Sequence, residues 1–166
     1  MGNLIPFSNP NDKHTKKEDA IVLKLMGESG ITAKMRILPQ EIHVLIRVLL
    51  KEQRETKELY HEAVAKKNKK EMDYWNMIQE VFHSLIKKLK GINKIEEVIQ
   101  ELSFVELDCL VGAMEQSIHE TSLMELQLIE DDTPLVTEAL NTMYQNIIPI
   151  YEEKRKEFES KQQQSE

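Results

Sequence analysis

The sequence contains few of the residues that define several specialised protein classes. Its 166 residues include one cysteine, five glycines and five prolines, and aromatic residues make up 5%. A single cysteine excludes an intramolecular disulfide and a zinc site built from several cysteines. Scarce glycine and proline exclude collagen-like and low-complexity proteins. No run reaches 18 uninterrupted apolar residues, and the sequence therefore predicts no transmembrane helix.

Signatures of common enzyme classes are also missing. The chain lacks the glycine-rich loops that hold nucleotide phosphates, the His-Glu-x-x-His pattern of zinc peptidases and the Gly-x-Ser-x-Gly turn of serine hydrolases. Cys109 lies beside an apolar stretch, where a thiol is usually buried and unreactive. We therefore predict a protein that is not an enzyme and that has no cofactor.

The N-terminal residues do not resemble an export signal. The apolar stretch at 4–7 is short, is interrupted by Pro6 and precedes the basic residues instead of following them. Gly2 is where a myristoyl group would attach, but that motif requires Ser or Thr at the sixth position, which Pro6 occupies. We expect a soluble, cytoplasmic protein that does not bind membranes.

Charge is unevenly distributed along the chain, whose formal net charge is −7. Residues 1–94 contain 18 basic and 12 acidic residues, a net charge of +6, whereas residues 95–166 contain 4 and 17, a net charge of −13. Three interpretations fit this asymmetry: separately solvated faces, docking of the halves within or between chains, and binding of nucleic acid to the basic half.

Apolar periodicity predicts a mainly α fold, an irregular bundle of five to seven helices at residues 18–158. A flexible arm at 1–17 and a disordered tail at 159–166 would flank this single domain. Ile31, Ala33, Met35 and Ile37 alternate with polar residues, as in a strand. Together with the apolar run at 20–26 and the intervening Gly27, they predict an N-terminal β-hairpin at about 20–38. A short helix at 18–26 is the alternative.

Start signals place the helices after this hairpin. Pro39 suits the first position of a helix that reaches about residue 66. A turn at Asn68, or an uninterrupted helix, leads into the segment 70–90, whose apolar residues fall on one face. Capping boxes place further starts near 94, 104 and 123, and they pair Asn93 with Glu96, Ser103 with Glu106, and Ser122 with Glu125.

A last helix is predicted to begin at Thr133 and Pro134. Pro149 lacks the N–H of a helical hydrogen bond and is expected to kink or split this helix at 145–148. A kinked helix with apolar groups on more than one side usually contacts something on each side. The candidate partner-binding residues are therefore Tyr144, Ile147, Ile148, Ile150 and Tyr151.

The predicted function is a protein–protein interaction or adaptor role with self-association into a homo-oligomer. The alternative is a small regulatory protein that binds nucleic acid through phosphate contacts from its Lys-rich half. Its candidate basic patch consists of Lys66, Lys67, Lys69, Lys70, Lys87, Lys88 and Lys90. Arginine, which base-reading proteins favour, is scarce in this chain.

The strand at 31–37, followed by Leu38-Pro39-Gln40-Glu41, resembles the strand-then-helix opening of some phage tail-assembly chaperones. The resemblance covers about a dozen residues. It implies a phage or mobile-element type of protein, and it assigns no site residue because it includes no distinctive side chain.

Two Glu-x-x-His pairs, Glu58 with His61 and Glu80 with His83, have the spacing found in carboxylate di-iron bundles. Helical geometry places Glu80 about 150° from the apolar face of its own helix, and Glu58 about as far from its own. Both pairs are predicted to face solvent, and the sequence predicts no metal site.

Overall fold

The computed structural model describes residues 16–92, 96–127 and 133–164, and most of these residues are helical. This part of the chain contains five helices and two strands. They are α1 (Lys16–Glu28), β1 (Thr32–Ile37), α2 (Pro39–Ala65), α3 (Lys69–Lys90), β2 (Val98–Ser103), α4 (Phe104–Gln127) and α5 (Thr133–Gln164). The prediction of a mainly α multi-helix fold is confirmed.

Helix α4 forms the centre of the fold. Every residue from Phe104 to Met114 is buried, because this stretch is apolar on all sides except at Glu106 and Asp108. A helix that is apolar all round needs neighbours on each side. Helices α1, α2, α3 and α5 supply them. Cys109 is a fully buried free thiol in this helix.

Helices α2 and α3 pack against each other as a helical hairpin. The N–H of Leu38 donates to the carboxylate of Glu41 at 2.8 Å, which closes the start of α2. The predicted turn between the helices is confirmed, although Lys67, and not Asn68, has the positive φ of 55°. Asn68 caps α3 by accepting a hydrogen bond from the N–H of Glu71 at 3.3 Å.

The two strands form an antiparallel sheet in which Thr32 lies opposite Ser103 and Ile37 lies opposite Val98. The alternation predicted for β1 is confirmed, since its inward side chains are buried and its outward ones are exposed. The partner of β1 differs from the predicted one. Residues 20–26 belong to α1, where Leu23 and Met26 pack into the core one turn apart. An almost wholly apolar run fits a strand and a helix equally well, so its period could not decide between them.

Strand β2 occupies a segment for which a helix was predicted. Residues 93–95 lie outside the described residues, and residues 98–103 are a strand, so the helix predicted from the Asn93 box is wrong. The Ser103 box is confirmed. The N–H of Ser103 donates to Glu106 at 2.9 Å, and the N–H of Glu106 donates to Ser103 Oγ at 3.2 Å. The Ser122 box starts no helix, because α4 continues through this position to Gln127.

Helix α5 is continuous across Pro149, so the predicted split is wrong, whereas the predicted start at Thr133 is confirmed. Pro149 has no N–H to donate to the carbonyl of Gln145, four residues earlier in the helix. Both residues are exposed, so water can donate to this carbonyl instead. The buried face continues past the proline through Leu140, Met143, Ile147, Tyr151 and Phe158. The helix extends to Gln164, beyond the boundary predicted at residue 158. None of the described helices has both the length and the apolar character needed to cross a membrane.

Candidate binding site

The lysines of the predicted basic patch lie in two separate groups. Lys66, Lys67, Lys69 and Lys70 surround the turn between α2 and α3 and are exposed, while Lys87, Lys88 and Lys90 occupy the last turn of α3. At the helical rise per residue, Lys70 and Lys87 are about 25 Å apart along the axis. Lys88 also forms an ion pair with Glu106. The structure therefore does not bring the seven lysines together on one surface.

Ion pairs within the chain connect its basic and acidic halves. They join Arg36 to Glu97, Lys51 to Glu120 and Lys88 to Glu106. Glu106 is the most buried of these carboxylates. Burial alone would raise the pKa of Glu106, but hydrogen bonds from Lys88, Ser103 and Ser84 outweigh burial and lower it. Part of the charge asymmetry is thus neutralised inside one molecule.

Both Glu-x-x-His pairs face outward as predicted. Glu58, His61, Glu80 and His83 are all exposed. These four side chains lie on the outer faces of α2 and α3, so the structure does not gather them into a common cavity.

The predicted partner-binding residues around Pro149 divide between the core and the surface. Ile147 and Tyr151 are each 2% exposed, and the Tyr151 ring stacks on Phe104 at a centroid distance of 5.9 Å. Neither side chain is open on the surface of the folded chain. Tyr144, Ile148 and Ile150 are half-buried.

The buried tyrosine is bonded to a buried acid. The hydroxyl of Tyr151 donates to Asp108 Oδ1 at 2.7 Å, and Asp108 Oδ2 has no partner among the described residues. Burial raises the pKa of Asp108 well above its ordinary value, and the charge of Glu115 adds to this. Burial likewise raises the pKa of the Cys109 thiol, which makes a reactive thiolate at this position unfavourable.

A groove of about 410 Å³ lies between β1 and α5. It is lined mainly by apolar side chains, with a basic, an acidic and an amide group among them. The lining residues are Met35, Arg36, Leu38, Glu41, Met143, Asn146, Ile147 and Ile150. On the strand side it is lined by Met35 and Arg36 of β1, and no described β2 residue lines it. Ile147 and Ile150 were predicted as partner-binding residues, whereas the β1 and α2 side of the groove was not predicted.

The register of the sheet leaves one edge of each strand open. The N–H of Phe104 donates to the carbonyl of Ile31 at 2.9 Å, which fixes the alternation of the ladder. In an antiparallel pair, every second residue directs its N–H and C=O away from the partner strand. On β1 these residues are Thr32, Lys34 and Arg36, and on β2 they are Ile99, Glu101 and Ser103.

Most of these outward backbone groups have no strand partner among the described residues. The N–H of Ser103 is capped by Glu106, and the carbonyl of Glu101 accepts weak side-chain hydrogen bonds from Lys88 and Gln100. Arg36, one of the outward residues of β1, also lines the groove. Unpaired strand edges are templates for another strand.

The exposed side chains of the two strands are complementary. Lys34 lies opposite Glu101, and Arg36 lies opposite Ile99 and pairs with Glu97 at the end of β2. Ile99 is 69% exposed, more than any other large apolar residue described. The open edge of β1 is therefore basic, and the open edge of β2 is acidic with one exposed apolar side chain.

Comparisons with models of protein families, with curated proteins and with solved structures found no match for this chain. The resemblance of residues 31–41 to phage tail-assembly chaperones consequently rests on that stretch of sequence alone.

Proposed function

We propose that the protein is a non-catalytic cytoplasmic protein that self-associates by strand addition, with β2 of one copy pairing to β1 of the next. The observation that carries this proposal is the open edge of β1, which adjoins an apolar groove and has the charge opposite to that of the open edge of β2. Strand addition to an exposed sheet edge is a common mode of protein recognition.

The backbone of the two edges allows such pairing in register. Lys34 and Arg36 direct their free groups outward, and so do Glu101 and Ile99. If Lys34 of one copy faces Glu101 of the next, then Arg36 faces Ile99, and both pairs are of the hydrogen-bonded kind. The intermolecular register thereby repeats the pairing that the strands already make within the chain.

Charge selects this pairing over a symmetric pairing of two β1 edges. A β1–β1 pair centred on Lys34 would place two lysines directly opposite each other, which is destabilising in an antiparallel pair. The β1–β2 pair instead places Lys34 against Glu101. It is a head-to-tail contact, which extends to a ring or a filament.

The groove gives the incoming strand a place to lie. The side chains of Val98 and Gln100, on the inward face of β2, are half-buried within their own chain. In the assembly they would approach the half-buried Ile150 of the neighbouring copy. About four backbone hydrogen bonds at about 1 kcal/mol each, with this small apolar contact, leave only a small surplus over the entropy cost of association, so we expect weak association with a Kd in the micromolar to millimolar range.

Two proline variants provide the test. The N–H groups of Arg36 and Ile99 point away from the intramolecular ladder, and proline is tolerated in a strand at such edge positions. R36P blocks the edge of β1, and I99P blocks the edge of β2. The matched controls R36A and I99A remove the same side chains but keep the N–H.

The measurement is sedimentation velocity at protein concentrations from about 10 µM to about 1 mM, which cover much of the expected Kd range. We expect self-association of the wild type, retention of association in R36A, monomers for R36P and for I99P alone, and one-to-one dimers when the two proline variants are mixed. A monomeric wild type at 1 mM, or proline variants that each associate as strongly as the wild type, would refute the proposal. Circular dichroism of each variant establishes that it is folded.

A further inference from the structure

Three carboxylates from two helices meet at one place in the fold. Glu52 and Glu55 project from α2, and Glu120 projects from α4. One oxygen of each carboxylate lies within 4.8 Å of the others. Glu52 is 1% exposed, while Glu55 and Glu120 are half-buried.

The donors described at this cluster serve Glu120 and leave one oxygen of Glu52 without a partner. Glu52 Oε1 is buried and has no hydrogen-bond partner among the described residues. Lys51 pairs with Glu120, and Gln116 donates to the same carboxylate at 3.1 Å. A buried carboxylate oxygen without a donor is costly, and an apolar or amide residue at position 52 would avoid that cost.

We propose that Glu52, Glu55 and Glu120 form a binding site for a divalent cation that prefers oxygen ligands, with Ca²⁺ favoured over Mg²⁺. Oxygens within 4.8 Å of one another can share one ion, and carboxylates from two helices suit the flexible coordination of Ca²⁺ by about 6–8 oxygens better than the strict octahedron of Mg²⁺. Water would complete the coordination shell. The bound ion would link α2 to the central helix α4.

Lys51 is the natural competitor for this site. Its ammonium group contacts Glu120, and its side chain is 38% exposed, so it can move into solvent when a cation arrives. Replacing it with a neutral residue removes a positive charge from beside the site. K51Q is therefore expected to bind Ca²⁺ more tightly than the wild type.

Calorimetric titration of EDTA-treated, dialysed protein with CaCl₂ tests the proposal. We expect one ion per chain for the wild type, at least a tenfold weaker affinity in E52Q and E120Q, and an unchanged affinity in E58Q. Glu58 is an exposed carboxylate on the same helix as Glu52, and E58Q therefore serves as the control. Thermal melts without metal establish that each variant is folded.

The proposal is overturned if the wild type shows no saturable binding up to 10 mM CaCl₂, or if E52Q and E120Q bind as tightly as E58Q. Terbium luminescence, sensitised by the tyrosines and Trp75, gives a second readout of site occupancy with the same variants. Neither measurement depends on whether the chain self-associates.

Discussion

Removal of a single hydroxyl group from the core tests the account of the buried pair formed by Tyr151 and Asp108. The variant is Tyr151→Phe. The Tyr151 hydroxyl is the only described donor to Asp108, whose second oxygen already has no partner. The ring remains in place against Phe104, so the change opens no sizeable cavity.

The expected cost follows from the unpaired acceptor. Leaving a buried acceptor unsatisfied costs about 1–3 kcal/mol, and we expect Tyr151→Phe to lower the free energy of unfolding by about 2 kcal/mol. For a chain of this length that corresponds to a decrease in Tm of about 4–8 °C. Urea unfolding followed by circular dichroism at 222 nm measures the change.

Tyr144→Phe is the matched control. Its hydroxyl donates to Glu115 at 2.6 Å, but Tyr144 is half-buried, and water can replace the lost donor. We expect a loss of less than about 1 kcal/mol. Equal losses for the two variants, or a loss below about 0.5 kcal/mol for Tyr151→Phe, would show that the buried pair does not contribute as described.

Three further predictions concern other parts of the molecule. Ile150→Glu places a charge in the groove and should weaken self-association at least tenfold by sedimentation. Ile148→Glu, two residues away on another face of α5 and outside the groove lining, should leave it nearly unchanged, and equal effects would contradict the assignment of the groove. Burial raises the pKa of Glu52 to about 8, whereas its pKa in the unfolded chain is about 4.3. The stabilisation from protonated Glu52 is therefore complete below about pH 4.3, and it is lost as the pH rises through 8. Urea midpoints measured in EDTA from pH 5 to 9 should therefore decline less steeply in E52Q than in the wild type, and parallel declines would argue against the shift. Asp108→Asn should likewise make the free energy of unfolding less dependent on pH above about pH 4, because burial raises the pKa of Asp108 as it raises that of Glu52. An unchanged pH dependence in urea unfolding would contradict this.

Local sequence signals predicted the elements that local chemistry determines. The Ser103 and Glu106 box, the proline at the start of α2 and the alternation in β1 each depend on residues a few positions apart, and each is found in the structure. The apolar face of α3 was predicted for the same reason, since it consists of one stripe of large side chains.

Long-range pairing was not predictable in this way. β1 pairs with a strand more than 60 residues later, and no pattern within β1 specifies that partner. The run 20–26 is apolar except at Lys24, so its burial in a helix depends on what packs around it. The groove beside β1 likewise depends on the packing of α5 against β1, and Pro149 was expected to kink or split α5.

One member of the carboxylate cluster, Glu52, is indicated by the sequence itself. Glu52 and Thr56 continue the spacing of Leu45 and Leu49, so both lie on the buried stripe of α2 although they are polar. A polar residue at an apolar-stripe position is the observation that points to position 52. The third member, Glu120, comes from another helix and requires the fold.

Residue-resolved amide hydrogen exchange at low and high protein concentration tests the central claim most directly. In dilute protein, the amides of Lys34, Arg36, Ile99 and Glu101 should exchange quickly, while those of Met35 and Ile37, bonded within the ladder, should be protected. At millimolar concentration the four outward amides should become protected together. Outward amides that remain unprotected while the protein associates through another surface, or that are already protected in the monomer, would contradict the strand-addition account.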